Sequence, residues 1–178
     1  MTDINPAPLP AAPAAAAETF SEEALRQGME LLFYAYRDFV KEPDALLARY
    51  GFGRAHHRAL YFIGRNPTIT VGELTRILRI TKQSLARVLN QLVERGFVVQ
   101  VPGTKDRRQR LLQLTRKGGD LEHKLFESQR RRMIEAFSQA GPQSVAGFRK
   151  LLAHIIDAED IPPFAASLRT ESFDHDEP

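Results

Sequence analysis

The 178-residue chain has no cysteine. This excludes disulfides, thiolate catalysis and any switch that works by oxidising a thiol. It also lacks an apolar run of membrane-spanning length and a basic-then-apolar secretory start, so a cytoplasmic location without a membrane partner is expected. The first 17 residues, MTDINPAPLPAAPAAAA, hold no Lys or Arg. With so little to bury, residues 1–18 are expected to form a disordered Pro/Ala-rich arm that offers no cation to a polyanion. Histidines are few and dispersed. His56 and His57 are adjacent, so on a helix they point about 100° apart and cannot clamp one metal unaided. His123, His154 and His175 are scattered, and no metal site is expected. Glycine-rich phosphate loops are missing, as is any nucleophile beside a base at motif spacing, so neither catalysis nor a cofactor is expected.

A 43% hydrophobic content suffices for one core, and charge is unevenly placed along the chain. Between residues 76 and 117, eleven Lys and Arg face only Glu94 and Asp106, a local charge of +9. The whole chain carries +3, so the remainder carries −6. Such asymmetry is the electrostatic footprint of a nucleic-acid-binding module.

Residues 70–115 organise the rest. Thr70 and Glu73 stand at capping-box spacing ahead of a short helix whose apolar stripe is Val71, Leu74, Ile77 and Leu78. Ile80 plugs the following turn. Thr81 caps a second helix over 82–95, and Gly96 stops it in a left-handed conformation. Leu85, Val88, Leu89 and Leu92 form its buried stripe, which leaves Gln83, Ser84, Arg87, Asn90 and Gln91 outward. Arg pairs with guanine, Gln or Asn with adenine, and Ser with several bases, so this face suits a major groove. Lys82 and the helix N-terminus suit a phosphate. Any exposed helix face is polar, however, and this helix alone leaves DNA contact and a merely solvated face equally open.

A hairpin follows. Phe97, Val99 and Val101 alternate with Val98 and Gln100, Pro102 and Gly103 break the strand, and residues 110–115 return. Its tip carries Lys105, Asp106, Arg107 and Arg108. Arginines there reach a narrow minor groove, where the negative potential is strongest. Asp106 is repelled by phosphate but can orient a neighbouring guanidinium.

The order of helix, turn, helix and basic hairpin, with ITKQSLARVLNQLVERGFV, KDRR and LQLTRKG in sequence, resembles the MarR (multiple-antibiotic-resistance regulator) family over about 51–119. The resemblance implies a bacterial winged helix-turn-helix regulator that binds a pseudo-palindromic operator in double-stranded DNA as a homodimer. It places the helix of Ser84 and Arg87 in the major groove and a wing arginine in the minor groove. Release by a small-molecule effector is known among relatives and is carried over as an expectation. A winged helix that binds an acidic protein, or DNA of any sequence, is the alternative reading.

Around this lobe a helix is expected from Thr19 to about Lys41, ended by Pro43, with Leu25, Met29, Leu32, Tyr36 and Phe39 as a wide stripe. Residues 46–50 are expected as a separate short turn, and 54–64 as a helix. Residues 68–70 are expected to add a very short third strand. A long helix over 116–140 carries Leu121, Leu125, Met133 and Phe137 inward, and Arg130, Arg131 and Arg132 on a solvated or ion-paired face. After Gly141 and Pro142 a further helix over 143–158 presents Phe148, Leu151, Leu152, Ile155 and Ile156 at helical spacing, with little left inside the domain to cover it. Residues 161–164 are expected to act as a hydrophobic tether. The fold class is therefore mostly α with a small β-wing (α+β). The organisation expected is a domain over 19–167, with dimerisation helices at 19–50 and 116–160, a winged helix-turn-helix lobe at 54–115, and an acidic disordered tail at 168–178.

Overall fold

The computed structural model describes residues 20–103 and 109–169. In order these form α1 (Glu22–Ala48), α2 (Arg54–Arg65), α3 (Val71–Leu78), α4 (Lys82–Glu94), β1 (Val98–Pro102), β2 (Arg110–Leu114), α5 (Arg116–Ile155) and α6 (Pro163–Ala166), then a 3-10 turn (Ser167–Arg169). The chain divides into two compact units, Met1–Lys41 and Glu42–Pro178.

The first unit contributes most of α1. Thr19, the expected cap, lies outside the described residues. Instead the Oγ of Ser21 accepts from the amide of Ala24 at 3.2 Å. The side chains of Leu25, Met29, Leu32, Phe33 and Tyr36 are exposed. Pro43 does not end the helix, which continues to Ala48 and absorbs the separate turn expected over 46–50. An interior proline forfeits one backbone hydrogen bond and crowds the preceding turn. Here its side chain is fully buried and Leu47 follows in the core, so burial offsets the lost bond.

The second unit holds one core. Leu60 and Ile63 from α2, Leu74 and Leu78 from α3, and Leu85, Val88, Leu89 and Leu92 from α4 meet Phe97, Val98, Leu112, Leu121 and Leu125. Each such side chain withdrawn from water contributes about 1.5–3 kcal/mol. The buried stripes of α3 and α4 therefore fix which faces remain outside. β1 and β2 pair antiparallel, with Val98 opposite Leu114 and Gln100 opposite Leu112. Val98 and Leu112 are fully buried, whereas Val99 is exposed. The alternation of Phe97, Val99 and Val101 thus does not mark the inner face: Phe97 is buried before the strand begins, just after the left-handed Gly96 (φ 72°). The third strand is a single bridge, Thr70 to Leu111, supported by the amide of Leu112 donating to the carbonyl of Ile69 at 2.9 Å.

α5 breaks at Gly141 (φ 80°, ψ 164°), with Pro142 opening its second half. Leu121 and Leu125 are buried, Met133 and Phe137 half-buried, and Phe148, Leu151 and Ile155 exposed. The second half stops at Ile155, short of residue 158. Of the expected hydrophobic tether, Ile161 and Pro162 are half-buried, but Phe164 is 75% exposed. The segment is also fastened by Arg169, whose guanidinium donates to the carbonyls of Ala153 (2.8 Å) and Ile156. An apolar ring has no directional need to dock, while two carbonyls at a helix end need donors.

Candidate nucleic-acid interface

A local cap sets the start of each of α3 and α4. At α3, the Thr70 amide and hydroxyl each donate to the Glu73 carboxylate at 2.8 Å, and the Glu73 amide donates back to Thr70 Oγ1 at 3.2 Å. Those two donors hold the Glu73 carboxyl below its ordinary pKa. At α4, Thr81 Oγ1 accepts from the Ser84 amide at 3.1 Å and donates to Ser84 Oγ at 2.9 Å. The Thr81 hydroxyl is thus spent on the cap, while Ser84 keeps its own hydroxyl proton.

Beyond this cap, Lys82, Gln83, Ser84 and Arg87 are all exposed, opposite the buried stripe of Leu85, Val88, Leu89 and Leu92. The first two turns of α4 therefore present one cation for phosphate and three groups with base-edge chemistry on a rigid, capped helix. The wing residues Lys105, Asp106, Arg107 and Arg108 lie outside the described residues. Arg110, at the start of β2, is exposed.

The rear of α4 is anchored by contacts that periodicity does not reveal. His56 Nδ1 accepts from the Gly53 amide at 3.1 Å, so Nε2 carries the proton and donates to Gln91 Oε1 at 2.5 Å. The imidazole also stacks on Phe52, with centroids 4.6 Å apart. Gln91, which the helical wheel assigns outward, is thereby tied to α2. His57, next to His56 in the chain, is half-buried, and that burial holds its imidazole below the ordinary pKa; Asp44 opposes the shift and Arg58 adds to it. Arg95 donates to the carbonyl of Tyr50 and lies 4.5 Å over the Phe52 ring.

The segment after β2 closes the same corner. Lys117 Nζ donates to the carbonyl of Arg95 at 2.8 Å and sits 4.3 Å over Phe97. Thr115 Oγ1 donates to the carbonyl of Gly96 at 2.7 Å and accepts from the Gly118 amide at 3.0 Å. A β-carbon on Gly118 would stand 2.0 Å from the carbonyl oxygen of Phe97. The run Thr115 to Gly118 is thus a cap on the turn that follows α4. It also corrects the charge reading: Arg95 and Lys117 belong to the basic stretch by sequence but satisfy carbonyls and cover aromatic rings.

A third cation in the stretch, Arg79, is ion-paired with Asp157, Glu159 and Asp160. In the run of three arginines on α5, Arg131 pairs with Glu42 at 2.7 Å and Arg130 with Glu127 at 3.4 Å, as an ion-paired face requires.

A profile of the MarR family matches residues 50–109, from just after α1 to just before β2. Over 137 residues the chain is 50% identical to the HTH-type transcriptional regulator PetP of Rhodobacter capsulatus, an alignment spanning 77% of this chain and 82% of that protein. The chain belongs to the MarR family. Solved MarR-type structures share its fold at lower identity. FabT of Streptococcus pneumoniae, solved in complex with DNA, superimposes with a TM-score of 0.62 at 21% identity, covering 74% of this chain and 94% of that one. A mutant MarR from E. coli complexed with operator DNA gives 0.56 at 21% identity, covering 72% and 92%. In this MarR-family chain α3 and α4 are the helix-turn-helix and β1 and β2 the arms of the wing. No helix among the described residues is long and apolar enough to cross a membrane.

Proposed function

We propose that this MarR-family chain is a sequence-specific, DNA-binding transcriptional regulator that acts as a homodimer in the bacterial cytoplasm, without catalysis and without a cofactor. The observation that carries this reading is the Thr81-capped α4, with Gln83, Ser84 and Arg87 exposed opposite a fully buried apolar stripe. In it Gln83, Ser84 and Arg87 read base edges in the major groove. Lys82, the Thr81 end of the helix and Lys105 hold phosphates. Arg108, oriented by Asp106 and with Arg107 beside it, enters the minor groove.

Support comes from relatives: PetP is named a transcriptional regulator, and FabT and MarR are known in complex with DNA. Two such modules one DNA turn apart, roughly 34 Å, read the two halves of a pseudo-palindromic operator. The dimerisation helices, 19–50 and 116–160, set that spacing around the reading lobe of 54–115. Their exposed apolar side chains, Leu25, Met29 and Tyr36 on α1 and Leu151 and Ile155 on α5, are what a second copy covers. A small-molecule effector would act by binding one spacing better than the other, since equal affinity shifts nothing. The missing thiols leave that route and close the oxidative one.

Arg87→Ala tests the reading directly. Loss of a bidentate base contact is expected to cost about 1–3 kcal/mol on the operator and to relax preference at one base position. An equal loss on operator and on scrambled duplex, measured by fluorescence anisotropy, would remove Arg87 from base reading.

A further inference from the structure

Among the described residues Arg79 is the only non-glycine with positive φ (φ 47°, ψ 44°), and it caps α3 at the turn of the helix-turn-helix. Turns of this motif often hold glycine, because a β-carbon in the left-handed region is strained. A long charged residue kept there has work for its side chain. Nη1 reaches Asp157 Oδ2 at 3.0 Å, and Nη2 reaches Glu159 Oε1 at 2.8 Å and Asp160 Oδ2 at 2.5 Å. All three carboxylates come from one turn after α5, closed by the amide of Asp160 donating to the carbonyl of Asp157 at 3.0 Å.

Exposed single ion pairs contribute little, but this arrangement is not a single pair. Three carboxylates whose oxygens lie within 4.8 Å of one another repel unless a cation sits among them. The cluster also sets negative charge close to a basic lobe, which long-range attraction to phosphate disfavours. Mechanical coupling is the gain that offsets this. Arg169 fastens the acidic segment to the end of α5 through the carbonyls of Ala153 and Ile156. Arg79 stands two residues before Thr81, the cap of α4, so the turn it occupies sets the direction in which α4 leaves.

We propose that Arg79 is a positioning residue for DNA reading: the acidic turn of Asp157, Glu159 and Asp160 grips it, fixes the turn between α3 and α4, and links the angle of the reading helix to the end of α5. This rests on the reading of α4 as the DNA-contacting helix. Arg79 touches no base in this role, and it is no phosphate ligand while gripped.

The test uses the full chain, a duplex that the wild type selects from a random-sequence pool, and a scrambled duplex of the same length. The variants are R79G, which relieves the backbone strain as it removes the guanidinium, the triple variant D157N/E159Q/D160N, and their combination. Removing three negative charges by itself tightens both duplexes alike. The tether predicts instead that the ratio of selected to scrambled affinity falls about tenfold in R79G and in the triple variant, with no further fall when they are combined, as expected for one shared interaction. Hydrogen exchange at the amides of Ser84 and Leu85, which the hydroxyl and carbonyl of Thr81 hold, should quicken in both.

An unchanged ratio, or additive falls, would overturn the tether. So would a triple variant that keeps the wild-type ratio and gains a salt slope steeper by about one, which would make Arg79 a caged phosphate ligand. If the wild type prefers no duplex, the DNA-reading proposal fails. Hydrogen exchange then decides the tether by itself: faster exchange in the variants supports it, and unchanged exchange rejects it.

Discussion

A β-carbon at Gly118 would stand 2.0 Å from a backbone oxygen, and backbone cannot move aside as the end of a side chain can. Gly118→Ala must therefore push the start of α5 away from the corner after α4, loosening the Thr115 and Lys117 contacts with it. Overpacking of this kind costs typically 1–3 kcal/mol. Urea unfolding should show a loss of stability of that size, with Gly119→Ala, where a β-carbon meets nothing within 4 Å, as a control that stabilises by up to about 1 kcal/mol.

His57 gives the second prediction at this scale. Its folded pKa is depressed by burial, so the unfolded chain binds the extra proton more readily and stability rises with pH across that range. Stability should decline as pH falls through about 6.5, the ordinary histidine value, and level off below the folded pKa. His57→Gln should flatten that segment of a pH-stability profile; an unchanged slope would assign the decline to other groups.

At the scale of elements, what was legible in the sequence was whatever is local. The capping box at Thr70, the cap at Thr81, the stripe of α4, the left-handed Gly96 and the break at Gly141 depend on residues within a turn or two of each other, and each forms as spaced; of the stripe expected on α3 only Leu74 and Leu78 are buried, and Ile77 is 40% exposed. What was not legible depends on partners far along the chain. Nothing near Pro43 tells that its ring will be buried, so the end of α1 could not be placed. The inward turn of Val98 follows from register with Leu114. Gln91 looks outward on a helical wheel because the wheel contains no His56. Arg79, Arg95 and Lys117 count as basic footprint until their carboxylate and carbonyl partners are seen. For the candidate site, the α4 residues were readable as exposed; the wing residues rest on the sequence alone.

One element poses a further question, since the second half of α5 exposes Leu151 and Ile155, 60% and 57% accessible. An aspartate at 151 is harmless on a face that stays in water and ruinous on one buried against a second copy. Leu151→Asp is therefore expected to give monomers by light scattering with helicity retained by circular dichroism. A persistent dimer would place the interface elsewhere.

For the whole molecule, the decisive quantity is how charge is divided. Residues 76–117 carry +9 of a chain whose total is +3, but Arg79, Arg95 and Lys117 are engaged within the protein. On the proposed reading the phosphate contacts fall to fewer cations than the sequence count suggests, chiefly Lys82 and the wing residues. Each contact adds about 0.9 to the slope of log affinity against log salt, so the slope counts them.

The measurement that tests the account most directly is binding of the purified chain to its own upstream DNA and to a scrambled duplex of equal length across a salt series. The account predicts at least about a hundredfold preference for the upstream DNA, with both affinities falling as salt rises. Equal affinities for the two, repeated against a duplex selected by the protein from a random pool, would contradict base reading by α4. No binding to either at low salt would contradict the DNA interface itself and favour an acidic protein partner.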